Sequence, residues 1–178
     1  MSAANRCVSA ANKCVSAANT RMGSMRVLAI DQALDNSGWA FGSAGVCSAC
    51  GLIKNPAGRF TDLGGRFLRF EIEVEKLIEI YQPQVISFES HRKHSGVQAA
   101  QVLGAVSAIV MKCAKARNIP SYGIEVGVHK KIFTGTARAS KDLSLAVARK
   151  RYPNLIIPTD DVSDSIGILH ATFDLLSK

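Results

Sequence analysis

The chain has 178 residues, a formal net charge of +8 and a pI of about 9.5, with 47% hydrophobic and 20% charged residues. This length and balance predict a globular chain of one compact domain with a sizeable core. The basic excess indicates a polyanionic partner, nucleic acid first and an anionic membrane second, with a solubilising surface charge as the alternative. Aromatic residues make up only 6%, which argues against binding that depends on stacking bases on exposed rings.

The first 24 residues stand apart from the rest. They consist of a seven-residue repeat, SAANRCV, SAANKCV and SAANTRM, which is small, polar and free of acids. We interpret residues 1–24 as a disordered extension, or as translated sequence upstream of a start at Met22 or Met25. A basic DNA-binding arm is the functional alternative. Residues 25–178 are then expected to form the folded domain.

Cysteine usage and hydropathy bear on the compartment. Five cysteines, with no signal-peptide core before them, predict a reducing cytoplasm and no disulfides. Cys47 and Cys50 form a C-x-x-C that lacks a second pair at zinc-site spacing, so we interpret it as a short hairpin turn, with a metal or redox role as the alternative. The longest uncharged stretch, Val97 to Met111, is too short to span a bilayer, and no membrane partner is expected.

Five apolar segments predict the strands of a mixed sheet. RVLAID is a continuous apolar run that ends in an acid, as expected for a central strand covered on both faces. SGWAFG and VCSACGLI follow as two short antiparallel strands. VISFE, which also ends in an acid, and SYGIEV complete the set. The expected class is α/β, with a mixed five-stranded sheet flanked by helices.

Helices are predicted at 61–81, 96–117, 127–133, 140–152 and 161–176. The helix at 96–117 is Ala-rich and apolar nearly all round, which predicts a helix enclosed in the core or shared with a partner subunit. A homodimer with Leu103 or Val106 at or near its interface is therefore expected.

Four carboxylates stand out by position. Asp31 ends the first strand and Glu89 the fourth, while Asp161 and Asp164 lie three apart at the start of the last helix and share a face. Taken singly, an acid at a helix start is a cap and an acid after a strand is a turn residue. Taken together they could converge, and such a cluster would repel itself unless a divalent cation bound there. Oxygen ligands favour magnesium or manganese over zinc.

Basic residues lie close in the chain to these acids. Two magnesium or manganese ions bound by the acids could activate a water and stabilise the leaving 3′-oxygen in phosphodiester hydrolysis. Four cations cluster around the T-G-T-A turn and could contact the phosphate: Lys130, Lys131, Arg138 and Lys141.

Five motifs in register resemble the RuvC family of junction resolvases. LAIDQALDNSGWAFG is similar to its opening I-D-P-G-L-x-x-T-G-x-A, and ISFES to its second acidic strand. VQAAQVLGAV resembles its long helix, and VHKKIFTGTARASK its V-K-x-x-V-T-G-x-G-x-A-x-K segment. DDVSDSIGILHA resembles its D-A-A-D-A-L-A-x-A-x-x-H ending. The match runs in order from Met25 to the C-terminus.

The resemblance implies an RNase H-like fold and a homodimeric, magnesium-dependent endonuclease that nicks four-way DNA junctions, with two ions per site and manganese as a possible substitute. By position it implies metal ligands at Asp31, Glu89, Asp161 and Asp164, with Lys130 and Lys141 contacting phosphate and Lys141 also in the catalytic set. Asp160 is a possible substitute for Asp161, and Asp35 is expected to be a turn residue.

Some positions depart from the family pattern. Gln32 and Ala33 replace Pro-Gly, and Ala137 replaces a glycine. Arg92 stands where cellular members often carry an aromatic wedge, and Arg92 and Lys93 are expected to contact DNA instead. Phage-encoded relatives tend to be less selective for their substrate, and we expect this chain to resemble them in selectivity.

Three other functions fit parts of the pattern. An RNase H-like nuclease for forks, flaps or structured RNA would have the same site. A junction-binding module without activity would require a broken acid, and all four are present. An actin-like sugar kinase needs two RNase H-like halves, which is about twice this length.

Overall fold

The computed structural model describes residues 25–59, 62–90 and 96–178. The predicted extension at 1–24 and the predicted DNA contacts Arg92 and Lys93 lie outside the described residues. These ranges contain five strands: β1 Val27–Asp31, β2 Asn36–Ser43, β3 Val46–Lys54, β4 Val85–Ser90 and β5 Ser121–Glu125. The same described residues form five helices: α1 Leu63–Tyr81, α2 Val97–Ala116, α3 Val126–Thr134, α4 Lys141–Arg151 and α5 Asp160–Leu176. Each predicted helix is confirmed, with ends within two residues of the prediction.

The sheet has the order β3-β2-β1-β4-β5, with β1 at its centre. β1, β2 and β3 form an antiparallel meander, whereas β1, β4 and β5 run parallel. In the β1–β4 pair Ile30 lies opposite Phe88. The next residue of each strand is an acid, so Asp31 and Glu89 leave the sheet at the same edge.

Helices cover both faces of the sheet because β1 is apolar on both faces. Val27 and Ala29 point to a core layer that contains Ile166 and Leu169 of α5. Leu28 and Ile30 alternate with them and pack against the layer formed by α1 and α2 on the other face. The central strand is therefore held from both sides, and its C-terminal end is placed rigidly.

Helix α2 packs on this second face and is only partly enclosed. Val106, Val110, Cys113 and Ala114 are buried against the sheet and α1. Among the described residues it is the one helix long and apolar enough to cross a membrane by length and composition alone. Core helices of globular proteins meet the same criterion of length and composition. Helix α2 packs against the sheet as such a core helix does.

One local prediction is wrong. Cys47 and Cys50 do not form the hairpin turn but lie within β3. The turn is at Ala44 and Gly45, whose φ angles of 52° and 78° are in the left-handed region that suits a tight β-hairpin. The strand register shifts between Phe41 and Gly42, and this irregularity lets β3 continue through both cysteines.

Candidate active site

Asp31 is the centre of an acidic cluster at the carboxyl edge of the sheet. Its pKa lies well above the usual range, first because burial disfavours the charged form and then because of nearby carboxylates. In order of effect these are Glu89, Asp164, Asp161 and Asp160. The structure thus brings the four predicted acids together, and it adds Asp160.

The first turn of α5 reaches Asp31 because of a glycine. Gly38 on β2 pairs with Asp31 in the antiparallel register. A Cβ atom at Gly38 would lie 1.9 Å from the carbonyl oxygen of Asp161, so only glycine permits this approach of helix to sheet. The position of Asp161 beside Asp31 depends directly on that contact.

The acids of α5 differ in their charge environment. Burial raises the pKa of Asp161, and repulsion by Asp160 adds to it. Burial also raises the pKa of Asp164, opposed by Lys130 and His129. Asp160 behaves oppositely, because an ion pair with Lys141 lowers its pKa.

The cluster fits divalent cations by the chemistry of its donors. Its members are carboxylates, which hard cations such as Mg²⁺ prefer, and their mutual repulsion and burial raise the pKa of three of them. A divalent ion would remove that repulsion. Among the described residues, the one set of three ligand atoms within 4.8 Å of one another is Glu71, Glu75 and Cys113, between α1 and α2. In the part of the chain that the structure describes, the ligand atoms of the acids at the sheet edge do not form a set as compact as this one.

The set between α1 and α2 is a weaker metal candidate. Glu71 is ion-paired with Lys112 at 2.8 Å, and Glu75 with Arg117 at 3.1 Å. These ion pairs already balance the negative charge of the two carboxylates.

Two of the predicted basic residues flank the acids. Lys130 on α3 is largely buried, and its Nζ lies 3.9 Å from Asp164 Oδ2. Lys141, at the start of α4, is ion-paired with Asp160 while three quarters of its side chain stays exposed. Lys131, on α3, and Arg138, between α3 and α4, are both exposed. The structure therefore places Lys130 and Lys141 at the acids, and Lys131 and Arg138 on nearby surface.

Two residues that sequence reasoning did not assign to the site contact Glu89. His129 is buried, and its Nε2 lies 3.1 Å from Glu89 Oε2. The Gln32 side chain accepts a hydrogen bond from the Glu89 backbone N–H at 3.0 Å and donates to the Glu89 carbonyl at 2.6 Å. The one available signal was departure from the family pattern, since Gln32 stands in place of proline and His129 in place of valine.

Asp35 has the turn role predicted for it. Its carbonyl oxygen accepts a hydrogen bond of 2.7 Å from the Asn55 backbone, and its carboxylate pairs with Arg66. These contacts tie the β1–β2 connection to β3 and α1. The Asp35 carboxylate is therefore engaged by Arg66, and 71% of its side chain is exposed.

Comparison with known proteins gives a consistent result. No protein-family model matches the chain. It is 32% identical over 130 residues to "Crossover junction endodeoxyribonuclease RuvC" of Pelodictyon phaeoclathratiforme, covering 72% of this chain and 65% of that one. It is 30% identical over 127 residues to the protein of the same name from Streptomyces avermitilis, covering 66% of this chain and 68% of that one. The chain spans about two thirds of the length of these curated relatives.

Solved structures agree on the fold. RuvC of Thermus thermophilus in complex with Holliday junction substrate superposes with a TM-score of 0.72 at 16% identity, covering 86% of this chain and 96% of that one. The yeast mitochondrial Holliday junction resolvase superposes with a TM-score of 0.60 at 16% identity, covering 86% of this chain and 80% of that one. The RNase H-like fold expected from the sequence is confirmed.

Proposed function

Because the chain belongs to the RuvC family of crossover junction endodeoxyribonucleases, we propose that it is a metal-dependent endonuclease that resolves four-way DNA junctions by phosphodiester hydrolysis. The observation that supports this most is the convergence of Asp31, Glu89, Asp161 and Asp164 at one edge of the sheet. Burial and mutual repulsion raise the pKa of Asp31 within this set. Retaining such a cluster costs stability, which is expected of a metal-binding site rather than of a structural one.

The proposed metal ligands are these four carboxylates, with Mg²⁺ as the physiological ion and Mn²⁺ as a substitute. Two bound ions would supply an activated attacking water and stabilise charge on the leaving 3′-oxygen. Lys130 and Lys141 would bind the scissile phosphate, since both lie beside the acids. Lys131, Arg138, Arg92 and Lys93 would contact the flanking DNA backbone.

Branched DNA is the proposed substrate. Both curated relatives are named as crossover junction nucleases, and a superposing structure contains a Holliday junction. The net charge of +8 suits a DNA partner and would make binding strongly dependent on salt. We assign this activity to residues 25–178, in a reducing cytoplasm.

The decisive experiment compares a synthetic four-way junction with a linear duplex of the same sequence, each with Mg²⁺ and with EDTA. Paired nicks in the junction that require Mg²⁺ are expected. Forks, flaps and structured RNA belong in the same panel. Preferential cleavage of one of these would change the proposed substrate but leave the proposed active site unchanged. Junction binding without any cleavage would contradict the proposal that the chain is an enzyme.

We further propose a homodimer, because α1 and α2 leave an apolar groove of about 560 Å³ between them on the outer surface. Leu68 of α1 and Ala108 of α2 line it and are exposed, and the Lys112–Glu71 ion pair borders it. A two-fold axis across this groove would bury both helices against a second copy and place two sites on one junction. Val106 is fully buried within one chain and cannot contact a partner; Leu103 is partly buried against the same core.

Leu68→Glu is the test of this interface, because Leu68 is 59% exposed and can be charged without disturbing the core. We expect monomers in sedimentation equilibrium and loss of coordinated paired nicks. Ile80→Glu on the same helix is the matched control, since Ile80 is 69% exposed and lies outside the groove. A monomeric unsubstituted protein, both free and on junction DNA, would refute the dimer.

A further inference from the structure

His129 is a buried polar residue in contact with an acid of the site. It is 1% exposed on α3, and its Nε2 lies 3.1 Å from Glu89 Oε2. Glu89 is itself largely buried at the end of β4. A carboxylate that binds a metal ion is ionised and accepts hydrogen bonds only, so in that state Nε2 carries the proton and donates it to Oε2.

The imidazole ring is fixed from the opposite side by α5. A Cβ atom at Gly167 would lie 3.0 Å from His129 Nδ1 and 3.6 Å from Phe133 Cβ. The helix therefore packs directly on the ring because position 167 has no side chain. Because Nδ1 faces Gly167 and Nε2 faces Glu89, the two contacts fix the orientation of the ring.

The backbone of Glu89 is fixed independently by Gln32. The Gln32 side chain accepts a hydrogen bond from the Glu89 N–H and donates one to the Glu89 C=O. Its Nε2 also donates to Ser107 Oγ at 2.9 Å. Gln32 is 1% exposed, so these bonds are shielded from water. Gln32 holds the main chain at this position, and His129 contacts the side chain.

We propose that His129 is a positioning residue for Glu89: its Nε2–H engages Oε2, so that the carboxylate is oriented towards the other acids for metal binding. This inference rests on the proposed function, because it assigns Glu89 to the metal site. A hydrogen bond from behind restricts rotation of the carboxylate and lowers the entropy lost when an ion binds. Partners of this kind typically change metal affinity about 10- to 100-fold when removed.

His129 is not replaceable by an apolar residue if this is its role. In the V-K-x-x-V-T-G pattern that this segment resembles, the position before the lysine is valine. Here His129 stands directly before Lys130. Valine at 129 would still present an apolar side chain to α5 at Gly167 but could not hydrogen-bond Glu89. His129→Val therefore removes the hydrogen bond with limited change in packing.

The test measures Mn²⁺ binding to the DNA-free full chain by electron paramagnetic resonance, and the Mg²⁺ concentration for half-maximal junction nicking. We expect His129→Val to raise both the Kd and the half-maximal concentration about 10- to 100-fold. His129→Gln, whose amide N–H can occupy the place of Nε2, should recover most of the affinity. His170→Gln is the matched control: His170 is buried at 8% exposure, but bonds Tyr152 rather than an acid.

Melting temperatures in EDTA separate positioning from folding. Unchanged Mn²⁺ binding by folded His129→Val would overturn the proposal, as would equal losses of Mn²⁺ affinity in His129→Val and His170→Gln. If His129→Val does not fold, His129→Gln and Gly167→Ala, which crowds the ring at 3.0 Å, decide the matter on the same two readouts. Failure of the unsubstituted chain to nick junctions while it binds Mn²⁺ would contradict the nuclease alone; failure to bind Mn²⁺ would contradict both.

Discussion

Gly38 on β2 and Asp161 on α5 meet so closely that a Cβ at position 38 would lie 1.9 Å from the Asp161 carbonyl oxygen. Because Gly38 also pairs with Asp31, this one contact sets the separation between the sheet acid and the helix acids. The helix cannot move away without pulling Ile166 and Leu169 out of the core.

We therefore expect Gly38→Ala to abolish Mg²⁺-dependent nicking and to lower the melting temperature. The added carbon must push α5 away from β2, which separates Asp161 from Asp31 and loosens the core. Junction nicking and thermal unfolding are the measurements. Gly104→Ala is the control, because a Cβ there meets nothing within 4 Å. It should leave nicking intact and gain up to about 1 kcal/mol of stability, since Gly104 lies inside α2.

Asp31→Asn should stop nicking while leaving junction binding largely intact, since it removes a metal ligand and not a DNA contact. It should also stabilise the metal-free protein at neutral pH. The pKa of Asp31 is raised in the folded state, so the native state binds the extra proton and stability falls as pH rises above the ordinary value near 3.8. Asparagine does not ionise, so Asp31→Asn avoids this loss of stability.

Thermal unfolding in EDTA across pH 4 to 8 checks this. Glu73→Gln on α1 is the control, because Glu73 is partly exposed and pairs only with Lys76 among the described ion pairs. Mg²⁺ should then raise the melting temperature of the unsubstituted protein more than that of Asp31→Asn. Near-normal nicking by Asp31→Asn would refute the four-carboxylate site.

His170 should make the fold sensitive to acid. Burial, and then repulsion by Arg151, lowers its pKa from 6.5 to about 4. Its stabilising contribution is present above pH 6.5 and is lost as pH falls through about 4, because the unfolded state takes up the proton first. The difference corresponds to about 3 kcal/mol at most. His170→Gln should flatten the pH dependence of unfolding in this window. An unchanged slope between pH 4 and 6.5 would show that His170 protonates freely.

Lys141→Ala should slow nicking and leave folding nearly unchanged. The side chain is three quarters exposed, so its ion pair with Asp160 contributes little to stability. Loss of one phosphate contact should reduce the slope of log affinity against log salt by about one unit. Lys150→Ala, at the other end of α4, is the control. Identical salt slopes and rates for both variants would assign Lys141 to solvated surface.

Among the described cysteines, Cys50 should be alkylated first. A hydrogen bond with Cys47 lowers the pKa of Cys50 and raises that of Cys47. Cys113 is buried, and burial raises its pKa to about 11. Timed alkylation with iodoacetamide at pH 7.5 followed by peptide sequencing by mass spectrometry measures the order. Faster modification of Cys113 would contradict the burial on which this order rests.

The sequence by itself determined the elements and the positions of the acids. A strand that is apolar on both faces must be covered on both faces, which predicted β1 and its central place. Acids at the C-terminal ends of β1 and β4 had to emerge at one edge once the two strands ran parallel. An apolar stripe at helical spacing predicted α1, and an Ala-rich, largely apolar sequence predicted α2. The cysteine pair was misplaced, since a strand irregularity at Phe41 and Gly42 leaves no local signal.

Only the tertiary structure decided how close those groups come and what holds them. His129 and Glu89 are 40 residues apart, and Gln32 and Glu89 are 57 apart, so their hydrogen bonds follow from the packing of α3 and β1 and not from any local pattern. The same is true of Gly38, whose missing side chain matters because α5 lies against it. Periodicity reports which face of an element is buried. It does not report which residue of another element lies there, and the site is built from those pairings.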